Sequence, residues 1–317
     1  MIAVVGAGAI GGLLGARLAH AGEDVTLIAR GPHLEAMRSR GLTLRHAGEE
    51  LTVHPRATDD MGAIGDAEVV FITLKAHGIP PVAPAIGRAL KPGAAVVGAM
   101  NGIPWWYFRH RHLESVDPGG VIARSIPYEH VVGSVVYPAA TLTAPGVVEH
   151  EEGDRITIGE PDGTKSARTE AISRMLVAAG FKAPVSTRLR SEIWLKLVGN
   201  ATLNPVSAVT RATMGEMFAS ERSRELIRTL MEEVALVAAA YDIDLPVSVE
   251  RRMQGAAAVG GHKTSMLQDL EAGKPLETDA LLGAVIELAE LSQVDVPSLR
   301  ALYALTKLAE DVRLGED

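Results

Sequence analysis

The sequence predicts an α/β fold in the first part of the chain and an all-helical fold in the rest. Short apolar runs alternate with helical patterns up to about residue 120, which is typical of a doubly wound parallel sheet. After about residue 187 nearly every segment has helical periodicity and the connections are short, which predicts a compact helical bundle. We therefore expect two domains, at 1–186 and 187–317.

The apolar runs are the expected strands of the parallel sheet. The first run, IAVVG at 2–6, is wholly apolar, as expected for a parallel strand that helices cover on both faces. Helical patterns follow the first two runs, at 9–22 and 32–41. The predicted parallel strands are 2–6, 24–30, 67–75 and 93–102.

The pattern changes after about residue 121. Between 131 and 161, β-branched runs are split by Pro-Gly and Gly-Asp turns, which predicts antiparallel strands appended to the sheet. An amphipathic helix is expected at 164–180. The predicted helices of the second domain are 190–204, 221–241, 246–259, 278–292 and 297–312.

Composition excludes several classes of function. The formal charge is −8 and no basic face is evident, which argues against binding to nucleic acid. The absence of cysteine excludes disulfides and thiolate nucleophiles, and it suits a reducing compartment. The apolar N-terminus lacks the basic region of a signal peptide, and no run reaches the length of a membrane span. We expect a cytoplasmic protein that uses neither a metal nor a membrane.

A glycine motif follows the first predicted strand and opens the first helix. In this setting the first glycine permits a tight turn, the second lets the backbone approach a pyrophosphate, and the third allows close packing of helix on strand. The helix N-terminus adds amide donors and a positive dipole end. The motif therefore predicts a Rossmann-type dinucleotide site, formed by Gly6, Ala7, Gly8, Ala9, Ile10 and Gly11.

Polar residues at the ends of the predicted strands extend this site. An NAD site usually has an acidic residue at the end of the second strand, whereas this chain has Arg30 there. A guanidinium suits a 2′-phosphate and has no acceptor for a hydroxyl, so NADP is the expected cofactor. Lys75 and Asn101 end the next two strands, where doubly wound folds bind ligands.

The predicted helix at 190–204 has an unusual polar stripe. Lys196, Asn200 and Asn204 are spaced four apart, so they return to nearly one face of a helix that is otherwise apolar. One ammonium and two amides suit an enzyme that reduces a carbonyl, because the oxygen needs a proton donor. The alternative is that Lys196 extends to solvent and that the asparagines cap a helix ending before Pro205. Capping does not explain Asn200, which lies mid-helix beside Gly199.

The sequence resembles the ketopantoate reductase family over essentially its whole length. The segments that carry the resemblance are GAGAIGG (6–12), TLKA (73–76), NG (101–102), EIWLKLVGNATLNP (192–205) and SMLQDLEAGKPLETD (265–279). The resemblance implies a Rossmann domain followed by a helical domain. It also implies NADPH-dependent reduction of 2-dehydropantoate to (R)-pantoate in coenzyme A biosynthesis, at an active site between the domains.

Roles follow from the resemblance residue by residue. Lys196 matches the general acid of the family. The positions that match substrate contacts are Asn101, Asn200, Asn204 and Ser265. The positions that match cofactor contacts are Arg30, Lys75, Asn101, Ala139 and Glu277, and Glu277 could instead position the lysine.

The chain departs from the family pattern at two places. Met214 stands where relatives commonly have a further substrate-contacting asparagine, which bears on the exact 2-oxo acid. The loop after Asn101 is rich in aromatic residues, and we expect Trp105 and Trp106 to pack against the helical domain. Two alternatives remain open: a D-2-hydroxyacid dehydrogenase that acts on another branched 2-oxo acid, and a non-catalytic NADP-binding sensor. Apolar helices in the second domain make a homodimer plausible.

Overall fold

The computed structural model describes residues 1–315 and divides the chain into two compact units. The first unit comprises Met1–Met100, Pro104–His112 and Gly119–Leu189. The second unit comprises Asn101–Ile103, Leu113–Pro118 and 190–315. Asn101 thus belongs to the helical unit, although it lies only three residues after the strand Ala95–Gly98 of the first unit.

The first unit contains two sheets and five helices, and the strands are numbered in chain order. Strands β1 to β11 are Ile2–Val5, Val25–Ile28, Leu42–His46, Glu49–Val53, Arg56–Thr58, Val69–Ile72, Ala95–Gly98, Val131–Val136, Ala139–Ala144, Val147–Glu152 and Ile156–Gly159. Helices α1 to α5 are Ala9–His20, Gly31–Arg40, Ala83–Ala89, Val121–Ser125 and Ala167–Ala178.

The larger sheet has seven strands in the order β11-β8-β7-β6-β1-β2-β5. All neighbouring strands are parallel except β11, which runs antiparallel to β8. Strands β1, β2 and β7 are buried along their whole length, which explains their wholly apolar or small-residue sequences. The doubly wound sheet that the sequence predicts is confirmed. The strand order reverses at β1, so ligands are expected at its carboxyl end.

The region 131–161 differs from its prediction. Strand β8 pairs in parallel with β7, and β9 and β10 lie in a separate four-stranded sheet of order β4-β3-β10-β9. The expectation that all these strands extend the first sheet is therefore wrong. The partners β3 and β4 were not predicted because the outer strand β4 is mostly exposed and begins with two glutamates. Their hairpin turns at Ala47 and Gly48, which both have positive φ.

The second unit is helical. Helices α6 to α12 are Leu189–Thr210, Met214–Met217, Glu221–Ala240, Val249–Ala257, Ser265–Glu271, Ala284–Ser292 and Pro297–Leu314. A π-helical turn, Asp279–Gly283, precedes α11, so the predicted helix at 278–292 has two parts. Within residues 1–315 no helix is both long and apolar enough to cross a membrane.

Helix α6 continues through Pro205 to Thr210. Proline lacks an amide hydrogen and removes one helical hydrogen bond. The flanking side chains of Leu203 and Val206 are buried, and this packing offsets the loss. The interpretation of Asn204 as a cap before Pro205 is therefore wrong, because the helix does not end there.

Candidate active site

The glycine loop joins β1 to α1 and is held against the end of β2. The amides of Gly6 and Ala7 both donate to the Ile28 carbonyl, at 3.0 and 3.1 Å. A Cβ on Gly11 would lie 2.3 Å from the Gly6 carbonyl oxygen, so only glycine allows this close packing. A Cβ on Gly8 would meet nothing within 4 Å, so Gly8 faces open space. These contrasting surroundings suit a loop whose backbone approaches a pyrophosphate.

A cavity of about 340 Å³ opens beside this loop. It is lined by Val5, Gly6, Ala7, Gly8, Ile28, Ala29, Arg30, His33, Asp59, Met61, Leu74 and Val82. Arg30 is exposed and directly precedes α2. Among residues 1–315 its guanidinium has no hydrogen-bond or ion-pair partner. The cavity therefore presents a cation that is available to a phosphate.

His33 on α2 also lines this cavity, although no motif in the sequence points to it. The Gly146 amide donates to its Nδ1 at 2.9 Å, so its Nε2 carries the hydrogen that bonds the Ala7 carbonyl at 2.6 Å. Burial lowers the pKa of His33, while the bond to Ala7 acts against that shift. A neutral imidazole thus links the glycine loop to the β9–β10 turn. The sequence does not predict this hydrogen bond, because 26 residues separate His33 from Ala7 and no local motif joins them.

The remaining predicted cofactor residues of the first unit are Lys75, which follows β6, and Ala139, which lies in the second sheet. Thr73, at the end of β6, donates its hydroxyl to the Gly6 carbonyl at 2.7 Å. Lys75 follows two residues later and is half-buried. Ala139 begins β9, in the second sheet. Its neighbour Pro138 lines a small apolar cavity together with Ile10.

The second unit gathers four of the predicted site residues into a polar cluster. The Lys196 ammonium donates to Asn101 Oδ1 at 2.8 Å, and Asn101 Nδ2 donates to Glu277 Oε2 at 3.1 Å. Asn200 Nδ2 makes a longer contact of 3.5 Å with the same Asn101 oxygen. Asn101 therefore presents its oxygen to the cation and its amide group to the carboxylate. We call Asn101, Lys196, Asn200 and Glu277 the polar cluster.

Gly102 explains how Asn101 reaches this cluster. Its φ is +84°, and a Cβ there would lie 2.2 Å from the Ala280 carbonyl oxygen. The segment that carries Asn101 therefore packs directly on the π-helical turn that follows Glu277. Such turns are rare and often occur at functional sites.

The electrostatics of the polar cluster favour proton donation near neutral pH. Burial lowers the pKa of Lys196 to about 8, with the Arg252 charge acting in the same direction and the Glu277 charge against it. An unperturbed lysine, with a pKa of about 10.4, is a poor general acid at neutral pH. The surroundings of Lys196 bring it closer to the pKa that such a role requires.

Within residues 1–315, the predicted substrate residues Asn204 and Ser265 form no side-chain hydrogen bond to the polar cluster. Asn204 lies one turn beyond Asn200 on α6, is buried, and forms no side-chain hydrogen bond within residues 1–315. Ser265 is the first residue of α10 and is exposed. Met214 is buried at the start of α7, and its amide donates to the His262 carbonyl at 2.9 Å. Met214 thus pairs with the segment that leads to Ser265.

Trp105 and Trp106 pack within the first unit. A Cβ on Gly98 would lie 2.9 Å from the Trp105 ring, and one on Gly133 would lie 2.7 Å from the Trp106 ring. Both rings are buried against β7 and β8. The expectation that they pack against the helical domain is therefore wrong. They pack on the sheet, where Gly98 and Gly133 leave room for the rings.

Two features define a class of protein: a glycine loop at the switch point of a doubly wound sheet, and a half-buried lysine that donates to an amide, which in turn donates to a carboxylate. That class is the nicotinamide-dependent oxidoreductases with a helical second unit. Comparison with known proteins identifies the family within this class.

Two family models match the chain. "Ketopantoate reductase PanE/ApbA" matches residues 2–163, and "Ketopantoate reductase PanE/ApbA C terminal" matches residues 188–310. The chain is 44% identical to the 2-dehydropantoate 2-reductase of Mesorhizobium japonicum, with 96% of each chain covered. The chain therefore belongs to the ketopantoate reductase family, whose members are oxidoreductases that use a nicotinamide cofactor.

Solved structures show the same fold. One assigned as a ketopantoate reductase, from Ralstonia solanacearum MolK2, has a TM-score of 0.94 and 39% identity, with 98% of each chain covered. A ternary structure of D-mandelate dehydrogenase with NADH and anilino(oxo)acetate has a TM-score of 0.87 at 22% identity, with 99% of each chain covered. The second likeness concerns the fold alone.

Proposed function

We propose that this protein reduces 2-dehydropantoate to (R)-pantoate with NADPH, a step of pantothenate and coenzyme A biosynthesis. The observation that carries the proposal is the hydrogen-bonded chain from Lys196 through Asn101 to Glu277. This chain of hydrogen bonds holds Lys196, whose pKa is lowered to about 8, in the unit that carries the predicted substrate residues. A pKa near the working pH suits a proton donor. The substrate is supported by the 2-dehydropantoate 2-reductase from Mesorhizobium, which is 44% identical.

The proposed cofactor is NADPH. The residues that would hold it are the loop of Gly6, Ala7, Gly8, Ala9, Ile10 and Gly11, together with Arg30, Lys75, Ala139, Asn101 and Glu277. The open space at Gly8 fits a close approach of the pyrophosphate. The guanidinium of Arg30, which has no partner among the described residues, fits a 2′-phosphate.

The chemistry requires a proton at the substrate oxygen. When bound, a reduced nicotinamide supplies a hydride to the carbonyl carbon of the 2-oxo acid. Lys196 Nζ donates a proton to the oxygen, which becomes the hydroxyl of the product. Asn101 orients Nζ through its 2.8 Å hydrogen bond, and Glu277 fixes the Asn101 amide from the opposite side. Asn200, Asn204 and Ser265 would bind the substrate.

A second candidate is a D-2-hydroxyacid dehydrogenase that acts on another branched 2-oxo acid. Met214 favours this candidate, because a thioether is a weak acceptor and donates nothing to a substrate hydroxyl. The D-mandelate dehydrogenase structure with anilino(oxo)acetate shows that another 2-oxo acid ligand occurs on this fold.

The test is NADPH oxidation with a panel of 2-oxo acids that includes 2-dehydropantoate and 2-oxoisovalerate. We expect the highest kcat/KM with 2-dehydropantoate. A higher value with another acid would establish the second candidate, and no turnover with any acid would contradict both.

Met214→Asn sharpens this test. A site with buried partners for the substrate hydroxyl rejects the analogue that lacks it by about 10⁴–10⁵. With Met214 at the site we expect a preference of only about 10–200-fold for 2-dehydropantoate over 2-oxoisovalerate. The asparagine variant should widen that preference. A parent preference above about 10⁴ that the substitution leaves unchanged would place Met214 outside the substrate site.

Two expectations from the sequence stay predictions. The homodimer is supported by the description of a dimeric ketopantoate reductase from Staphylococcus aureus, which shares the fold at 21% identity. Light scattering on the purified protein would test it. The cytoplasmic location also stays a prediction.

A further inference from the structure

Gly199 lies in the interior of α6, which runs from Leu189 to Thr210. Glycine is unfavourable in a helix interior, because it has more backbone freedom to lose than any other residue. A Cβ on Gly199 would lie 2.2 Å from Nη2 and 2.9 Å from Cζ of Arg252. The glycine therefore gives the guanidinium access to the surface of α6.

This approach brings a second cation to the polar cluster. Lys196 and Gly199 are three residues apart on α6, so they are neighbours on one face, and Asn200 follows Gly199 directly. Arg252 lies on α9, in the same unit, and is half-buried. Two neighbouring cations attract an anion more strongly than either cation does alone.

We propose that Arg252 binds the carboxylate of the 2-oxo acid and thereby determines selectivity for anionic substrates, an inference that rests on the proposed function. A guanidinium binds a carboxylate through two parallel hydrogen bonds, which a lysine cannot reproduce. This assignment leaves Lys196 for the carbonyl oxygen, so the two cations serve the two ends of the 2-oxo acid group.

The electrostatic balance at Lys196 supports this assignment. The Arg252 charge lowers the pKa of Lys196, as burial does, and Glu277 is the charged group that acts against it. Arg252 therefore has a second effect, which is to make the nearby ammonium a stronger acid.

The first experiment compares Arg252→Gln and Arg252→Lys with the parent enzyme. Arg251→Gln is the control, because it removes an exposed arginine from the same helix. We expect KM for the 2-oxo acid to rise about 10- to 100-fold in Arg252→Gln, as for loss of a charge-assisted hydrogen bond. Arg252→Lys should restore part of the loss, and NADPH affinity should stay within about twofold. A KM equal to that of the Arg251 variant would overturn the proposal.

Gly199→Ala tests the same contact from the other side. Alanine raises helix propensity, so a functional loss in this variant cannot be attributed to a weaker helix. Its Cβ must displace the Arg252 guanidinium, and we expect the same rise in KM as in Arg252→Gln. The double variant should be no worse than either single variant. Additive losses would show that the two residues act independently, which contradicts the proposal.

The pH profile separates this role from mere support of the fold. Loss of the Arg252 charge should raise the pKa of Lys196, so the decline of kcat at alkaline pH should move to higher pH in Arg252→Gln. An unmoved profile together with an unchanged KM would leave Arg252 only a packing role.

Binding measurements distinguish failure of this inference from failure of the proposed function. If the parent turns over no 2-oxo acid, calorimetry with (R)-pantoate and the NADP⁺-loaded protein still tests the anion site. Binding by the parent that weakens at least about tenfold in Arg252→Gln supports the site. No binding by the parent, or equal binding by both proteins, overturns it.

Discussion

The glycine loop of the first unit acts through its backbone, whereas the polar cluster of the second unit acts through its side chains. The loop offers backbone amides and space, and its specificity depends on the absence of side chains at Gly8 and Gly11. The cluster depends on side chains, with an amide between a half-buried cation and a carboxylate. This contrast predicts that the loop tolerates changes of charge and not of volume, whereas the cluster depends on the position of charge.

The largest expected effect is in the cluster. Lys196→Ala should lower kcat by about 10²–10⁴-fold, the usual contribution of a general acid, and should leave NADPH affinity nearly unchanged. Steady-state kinetics and fluorescence titration with NADPH measure the two quantities. Turnover near that of the parent would remove Lys196 from the mechanism.

In the loop, Gly11→Ala and Gly8→Ala form a matched pair. The Cβ at position 11 collides with the Gly6 carbonyl, so the variant should lose about 1–3 kcal/mol of stability and bind NADPH more weakly. The Cβ at position 8 would meet no atom of residues 1–315 within 4 Å, so Gly8→Ala should keep the parent melting temperature and lose only affinity. Equal melting temperatures for both variants would contradict the distinction between packing and cofactor access.

Arg30 is the charge that we expect to distinguish NADPH from NADH. Arg30→Ala should weaken NADPH binding by about 10- to 150-fold, which corresponds to a charge-assisted contact of about 1.5–3 kcal/mol. NADH binding should change little because it has no 2′-phosphate. Equal weakening of both cofactors would show that Arg30 does not recognise the phosphate.

The smallest effects concern the pH dependence of the cluster. The protonated form of Lys196 is the acid, so kcat should be level below about pH 8 and fall about tenfold per pH unit above it. The Glu277 charge raises the pKa of Lys196, so Glu277→Gln should move the decline to lower pH. Glu290→Gln, which removes an exposed carboxylate of α11, is the control. A shift to higher pH in Glu277→Gln would contradict the assigned electrostatics.

The sequence by itself determined the features that depend on local periodicity and on short motifs. The parallel strands, the glycine loop and the helical second part follow from apolar runs, from glycine spacing and from helical repeats within about 20 residues. The polar stripe on α6 is equally local, because a helix fixes which residues share a face.

Only the tertiary structure decided the rest, because these contacts join residues that are distant along the chain. Asn101 lies 95 residues from Lys196 and 176 from Glu277, yet it bonds to both. Three further contacts have no periodic signature: the packing of Trp106 on Gly133, the link from His33 to Ala7 and the approach of Arg252 to Gly199. The second sheet and the continuation of α6 through Pro205 also depend on packing, which overrides local propensity when it buries enough apolar surface.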